Sequence, residues 1–245
     1  MMRVESIATV DEIKGEMIVG KTVVIFDVLR SSSTILAAFL AGVSEVIPVE
    51  TLGKAFLLQN SETLLAGERY CKKISGFHFS NSPSELSSQS LQGKRLILST
   101  TNGTRAIQKA MRGEHVLIGS FLNGSAVAQK VLQIGKELTL YCAGSRNEFA
   151  YEDGLAAGFL INKLFELSKD PLELSDFSQL LYDGYLQNIN RIEEVLLKTA
   201  TGKRLAQLGL TEDIRYSSRR DTIPLVPYLQ EGRIFVHPET YSPTR

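Results

Sequence analysis

Ser99-Thr100-Thr101-Asn102-Gly103-Thr104-Arg105 is the stretch on which the reading of this chain turns. The apolar run Leu96-Ile97-Leu98 before it reads as a buried strand, and Ala106-Ile107-Gln108-Lys109-Ala110-Met111 after it as a helix. Four hydroxyls, a carboxamide, a glycine and an arginine therefore stand where a strand hands over to a helix. A helix N-terminus offers unpaired backbone N–H groups and partial positive charge, so this turn suits a phosphate or a sulfonate. Ser, Thr and Asn are also the ordinary capping residues of such a turn, with or without a ligand.

The same alternation recurs on both sides. Val23-Val24-Ile25-Phe26 is a continuous apolar run, as expected of a strand covered on both faces, and it ends at Asp27-Val28-Leu29-Arg30. Ser31-Ser32-Ser33-Thr34 then leads into a helix over residues 35–41, with Gly42 as its stop. A short strand over 46–50, a helix over 52–59 and the strand Thr63-Leu64-Leu65-Ala66 follow, the last ending in Gly67-Glu68-Arg69. No period holds from 70 to 93, and residues 76–85 read as a long loop of the kind that is usually functional. Beyond the central turn come a strand over 116–120, a helix over 123–134 and a strand over 138–143. Residues 1–20 are weakly patterned and fit an edge strand or a partial helix.

Strand and helix thus alternate about five times, which predicts an α/β fold with a largely parallel sheet. Right-handed crossovers would set the C-terminal ends of the strands along one edge, where ligands bind in open α/β sheets. The polar clusters at 27–34, 68–69, 100–105 and 144–147 all fall there. After Tyr151 the pattern turns helical, over 152–168, 175–187 and 191–200, before a closing strand over 233–236. The expected organisation is a sheet region over 1–150 carrying most site residues. A mainly helical region over 151–245 packs on it, with one compact unit as the alternative.

Composition narrows the function. Apolar residues make up 43% and charged residues 22% of the 245, an ordinary globular balance. Lys plus Arg and Asp plus Glu both number 27, which removes the electrostatic case for a dedicated nucleic-acid binder. No apolar run is long enough to span a bilayer, and residues 1–16 lack the apolar core of a signal peptide. Cys71 and Cys142 form neither a disulfide framework nor a zinc spacing. A soluble, cytoplasmic protein is expected.

Asp27, at the end of a buried strand, is placed to bind a divalent cation or to attack phosphorus, and equally to cap the next turn. The phosphatases that use a strand-end Asp nucleophile want a second Asp two residues on, where this chain has Leu29. Glu68, Glu152 and Asp153 are further carboxylates near turns, an oxygen-only set that suits magnesium. Glu152 and Asp153 also suit the first turn of a helix as plain charges. Arg30 and Arg105 can each fork two hydrogen bonds to an oxyanion. His78 in the long loop is a candidate general acid, whereas His115 and His237 share no metal spacing with it. No Gly-x-x-x-x-Gly-Lys-Ser/Thr stretch is present, which disfavours a P-loop nucleotide hydrolase.

Taken together, Phe26-Asp27-Val28-Leu29-Arg30, Ala66-Gly67-Glu68-Arg69, Gly76-Phe77 with Asn81-Ser82-Pro83, Thr100–Arg105, Ala143-Gly144 and Glu152-Asp153 resemble the magnesium-dependent 2-phosphosulfolactate phosphatases. Leu208-Gly209, Asp213 and residues 224–227 are a weaker echo. The resemblance implies hydrolysis of (2R)-phospho-3-sulfolactate to 3-sulfolactate and phosphate, on the route to coenzyme M or to sulfolactate itself. It implies Mg2+ held by Asp27, Glu68, Asp153 and Glu152. Thr100, Thr101, Asn102, Gly103 and Thr104 would bind phosphate or sulfonate, Arg30 and Arg105 would supply countercharge, and Asn81 and Ser82 would shape the pocket. Direct attack by water and an acyl phosphate on Asp27 both fit. Where the family has an Asp and a Gly in the long loop, this chain has His78 and Ser80. That leaves two alternatives, a phosphatase of another small phospho-acid and a non-catalytic anion binder. The expected partner is a small anion bearing phosphate with sulfonate or carboxylate, and a homodimer is the default assembly.

Overall fold

The computed structural model describes residues 1–236, so His237 lies outside the described residues. The strands are β1 (Met2–Ile7), β2 (Thr22–Phe26), β3 (Glu45–Pro48), β4 (Thr63–Arg69), β5 (Lys72–Lys73), β6 (Arg95–Ser99), β7 (His115–Gly119), β8 (Leu138–Cys142), β9 (Leu172–Leu174), β10 (Tyr228–Gln230) and β11 (Arg233–Phe235). The helices are α1 (Ser31–Leu40), α2 (Leu52–Leu57), α3 (Pro83–Ser87), α4 (Gly103–Ala110), α5 (Gly124–Ile134), α6 (Tyr151–Leu167), α7 (Asp176–Asn188), α8 (Ile192–Lys198), α9 (Ala200–Gln207) and α10 (Thr211–Ser218).

The strands form one mixed sheet in the order β5-β4-β6-β3-β11-β10-β7-β2-β8-β1-β9. Its larger part is two parallel blocks, β4-β6-β3 and β7-β2-β8-β1-β9. The fold is thus α/β with a mostly parallel sheet. The β10–β11 hairpin joins the blocks and pairs antiparallel with β7 on one side and β3 on the other. Three antiparallel steps in succession mean that the two blocks run in opposite senses, so the C-terminal strand ends do not line one straight edge. They still meet around one cleft. Five strand-to-strand steps separate β2 from β6, and at roughly 20–25° of twist per step their directions turn through about 100–125°. A twist of that size brings the ends of oppositely directed strands toward one another.

β2 shows how the sequence builds this. Val23 and Ile25 face one core with Ile35, Leu36 and Phe39 of α1 and Ile107 of α4. Val24 and Phe26 face the other with Leu155 and Phe159 of α6 and Tyr185 of α7. Every residue of β2 is buried, which is why it reads as a continuous apolar run rather than an alternating one. α1 begins at Ser31, so the serine run lies inside the helix rather than ahead of it. β1 is an interior strand between β8 and β9. The expected loop over 76–85 is interrupted by α3, capped by Ser82 with Pro83 in its first turn. The described residues contain no helix long and apolar enough to cross a membrane.

Candidate active site

The ends of β2, β4, β6 and β8, the start of α6 and one face of α9 surround the cleft. Of the residues singled out in the sequence, Asp27, Arg30, Glu68, Asn81, Thr100, Thr101, Asn102, Glu152 and Asp153 line it. Ser82, Gly103, Thr104 and Arg105 are not among its lining residues.

Asp27 sits where β2 passes into α1. Its N–H donates to Ser32 Oγ at 2.9 Å, and its Oδ1 accepts from the Ser31 N–H at 3.3 Å. The carboxylate therefore lies at the N-terminus of α1, where negative charge is favoured. Burial nevertheless pushes Asp27 up to about 6, against the pull of the Ser31 hydrogen bonds and with help from the charges of Glu68 and Glu152. Gly103 is explained by this neighbourhood. A Cβ there would stand 2.5 Å from both Asp27 Oδ2 and Ser31 Oγ, so the close approach of α4 to Asp27 requires glycine.

The central turn holds an anion, and the anion is the chain's own Glu68. Glu68 Oε1 accepts the Thr101 N–H and hydroxyl, both at 2.9 Å, while Oε2 accepts the Cys71 N–H at 2.7 Å. Thr104 turns inward: its N–H donates to Thr100 Oγ1 and its hydroxyl to the Thr100 carbonyl at 2.9 Å. Asn102 Nδ2 donates to the Gly144 carbonyl at 3.1 Å and ties the turn to the end of β8. Glu68 thus occupies the donors of Thr101, and Thr100 those of Thr104, that the sequence offers to a bound ligand.

Asp153 straps two strand ends together. Oδ1 accepts the Val28 N–H at 2.8 Å and Oδ2 the Gly144 N–H at 3.1 Å. Burial, then the charges of Asp27 and Glu152, push its carboxyl well above the usual range, and those two amides pull it back. Glu152 is also raised by burial, with the Thr201 and Thr199 hydroxyls and the Arg204 charge opposing.

Arg30 does not stand free. It is 2% exposed, and its Nη1 donates to Asp213 Oδ2 at 2.7 Å and its Nη2 to the Cys71 carbonyl at 3.1 Å. Asp213 in turn accepts from the Ser82 and Ser84 hydroxyls, each at 2.6 Å. Ser82 therefore serves by holding Asp213 and capping α3. Arg105 lies on the surface, where Nη2 meets Asp11 Oδ1 at 3.0 Å, so the structure does not bring it into the cleft. His78 is exposed and its Nδ1 accepts the Leu65 N–H at 3.0 Å, a brace on β4 outside the cleft lining. Asn81 Oδ1 is buried at the cleft with no hydrogen-bond partner among the described residues, an acceptor left for a ligand.

Sequence reasoning passed over Arg204, Thr201, Tyr70 and Cys71, which also line the cleft. The polar cluster after β8 pointed at Arg146, another lining residue, without giving it a role. α9 was not recognised as an element of the site, so nothing singled out Thr201 or Arg204.

Comparison with known proteins gives the family. Residues 7–232 match the family described as 2-phosphosulpholactate phosphatase. A protein of Clostridium tetani, named probable 2-phosphosulfolactate phosphatase, is 36% identical over 237 residues, covering 95% of this chain and 100% of its own. One of Clostridium acetobutylicum with the same name is 37% identical with the same coverage. One of Carboxydothermus hydrogenoformans, again with that name, is 39% identical over 88% of this chain and 90% of its own. The chain belongs to the 2-phosphosulfolactate phosphatase family, whose members are phosphoric monoester hydrolases.

Proposed function

We propose that the cleft hydrolyses (2R)-phospho-3-sulfolactate to 3-sulfolactate and phosphate with Mg2+ as cofactor. The observation that carries this reading is the burial of four carboxylates, Asp27, Glu68, Glu152 and Asp153, around a cleft also lined by three arginines. Burying like charges together is unfavourable unless a cation or a proton is shared among them, and such sites are characteristically functional.

In the proposed step an oxygen–phosphorus bond forms to water, the phosphorus–oxygen bond to C2 of the lactate breaks, and the departing alkoxide takes a proton from solvent. Asp27, at the end of β2 and lining the cleft, orients the water and accepts its proton. Asp27 and Glu152 would hold the magnesium ion, while Glu68, whose oxygens already accept three hydrogen bonds, fixes the turn beside them. An oxygen-only set fits this hard cation, which keeps several waters and takes few carboxylates directly. Among the described residues no three His, Cys, Asp or Glu side chains close into a ready-made cage. When bound, the ion supplies positive charge against the transferring phosphoryl group. Asp153, with both oxygens taken by backbone N–H groups, fixes the loops around this centre.

Phosphate release from racemic phosphosulfolactate, with magnesium and with a chelator, tests the proposal. Release that requires the metal is the expected result. No release, with 3-sulfolactate still raising the melting temperature, would make the protein an anion binder and overturn it.

A further inference from the structure

We propose that Arg204 and Arg146 form the subsite for the substrate's second acidic group and thereby select multiply charged phosphate esters. The inference rests on the hydrolase reading above and extends it to the end of the substrate that does not react.

Three arginines line the cleft, and they are not equivalent. Arg30 is buried, with its charge met by Asp213 and one further donor taken by a backbone carbonyl. Arg204 and Arg146 have no ion pair and no side-chain hydrogen bond among the described residues. Arg204 lies near enough to Glu152 for its charge to draw that carboxyl down against burial. A guanidinium with its donors free presents a planar fork that matches a carboxylate or sulfonate.

Their placement fits that role. Arg204 stands three residues after Thr201 on α9, so both occupy one face of the helix, and both line the cleft. The Thr201 hydroxyl draws the Glu152 carboxyl down, which sets this face beside the start of α6. Arg146 is the first of two turn residues closed by Ser145 N–H to Glu148 O at 2.9 Å and Glu148 N–H to Ser145 O at 3.1 Å. Arg146 and Asn147 both have positive φ, 55° and 62°, as a tight hairpin turn demands.

Charge completes the argument. A phosphorylated hydroxy acid carries negative charge at two separated places. Asp27 and Glu68 repel any acidic group that is not the one undergoing transfer. The uncommitted arginines on the loop after β8 and on α9 are the cations left to receive it.

The test compares Arg204→Gln, Arg146→Gln and the double variant on phosphosulfolactate and on an aryl phosphate, which lacks a second acid. Each single substitution is expected to raise KM for phosphosulfolactate by about ten- to hundredfold, the range of a lost charged hydrogen bond. KM for the aryl phosphate should rise at least tenfold less. Lys203→Gln, an exposed neighbour on α9 outside the cleft lining, controls for general damage and should leave both constants as they are. Equal losses on the two esters, or no change on either, would overturn the inference. If the wild type releases phosphate from neither ester, the proposed reaction fails separately, and 3-sulfolactate binding decides the subsite. A melting-temperature rise in the wild type that Arg204→Gln abolishes upholds the subsite; an equal rise in both, or none in the wild type, refutes it.

Discussion

The two sides of the cleft are built on opposite plans. On the side made by the ends of β2, β4 and β6, the polar groups answer one another: Glu68 is bonded by Thr101 and Cys71, Asp27 by Ser31, and Thr104 by Thr100. On the side made by the loop after β8 and by α9, Arg146 and Arg204 keep their donors free among the described residues. Rigid, internally satisfied groups hold a reacting centre in place, because each side chain has one arrangement that satisfies its partners. Free guanidiniums do the opposite work and wait for an acid that arrives with the ligand. The contrast assigns chemistry to the strand ends and recognition to the loop and helix.

The largest effect that would break this contrast is loss of the centre. Asp27→Asn should lower kcat by about 10²- to 10⁴-fold, as removal of a proton-handling group does, with the circular dichroism spectrum unchanged. Near-wild-type turnover would remove Asp27 from the reaction. The same variant makes a stability prediction of opposite sign. Asp27 titrates near 6 in the fold, against its ordinary 3.8. The folded protein therefore keeps a proton that the unfolded chain releases between those values, and stability falls as pH rises through that window. Without added metal, Asp27→Asn should melt above the wild type at pH 7, and the difference should close below pH 4.

The next effect is on the frame. Asp213→Asn leaves the Arg30 charge uncompensated in a setting where the two side chains are 2% and 1% exposed. Breaking a buried pair in this way costs about 3–5 kcal/mol, to be read from a urea or thermal transition. A cost below about 1 kcal/mol would place the pair with ordinary surface ion pairs. Gly103→Ala pushes a methyl against Asp27 Oδ2 and Ser31 Oγ. It should cost about 1–3 kcal/mol, as overpacking does, and lower kcat by displacing Asp27. The smallest effect is expected at Arg105, whose Asp11 partner is exposed. Arg105→Gln should change stability by less than about 1 kcal/mol and leave KM for phosphosulfolactate unmoved; a large rise would return Arg105 to the site.

The same contrast explains what could be read from the sequence. The strand-end side was legible because its groups follow apolar runs that announce buried strands. Asp27 closes one such run, Glu68 follows another, and Thr100–Asn102 follow a third. What stayed hidden there was direction of bonding. A turn rich in hydroxyls looks the same whether it caps its own helix, holds Glu68 or holds a ligand. Arg204 was hidden because helical spacing reveals which face is buried, and α9 offers only Thr201, Gly202 and Leu205 as buried residues. The β10–β11 hairpin was half legible. Its second strand is apolar enough to recognise, but three-residue strands carry no sign of where they insert, and insertion between β3 and β7 reverses the sense of one block.

The most direct test of the central claim is the specificity constant for phosphosulfolactate beside those for phospholactate and an aryl phosphate. The account predicts metal-dependent hydrolysis with kcat/KM highest for phosphosulfolactate, lower for phospholactate and lowest for the aryl ester. An order in which phospholactate equals or exceeds the sulfonated ester would contradict it and move the enzyme to another small phospho-acid.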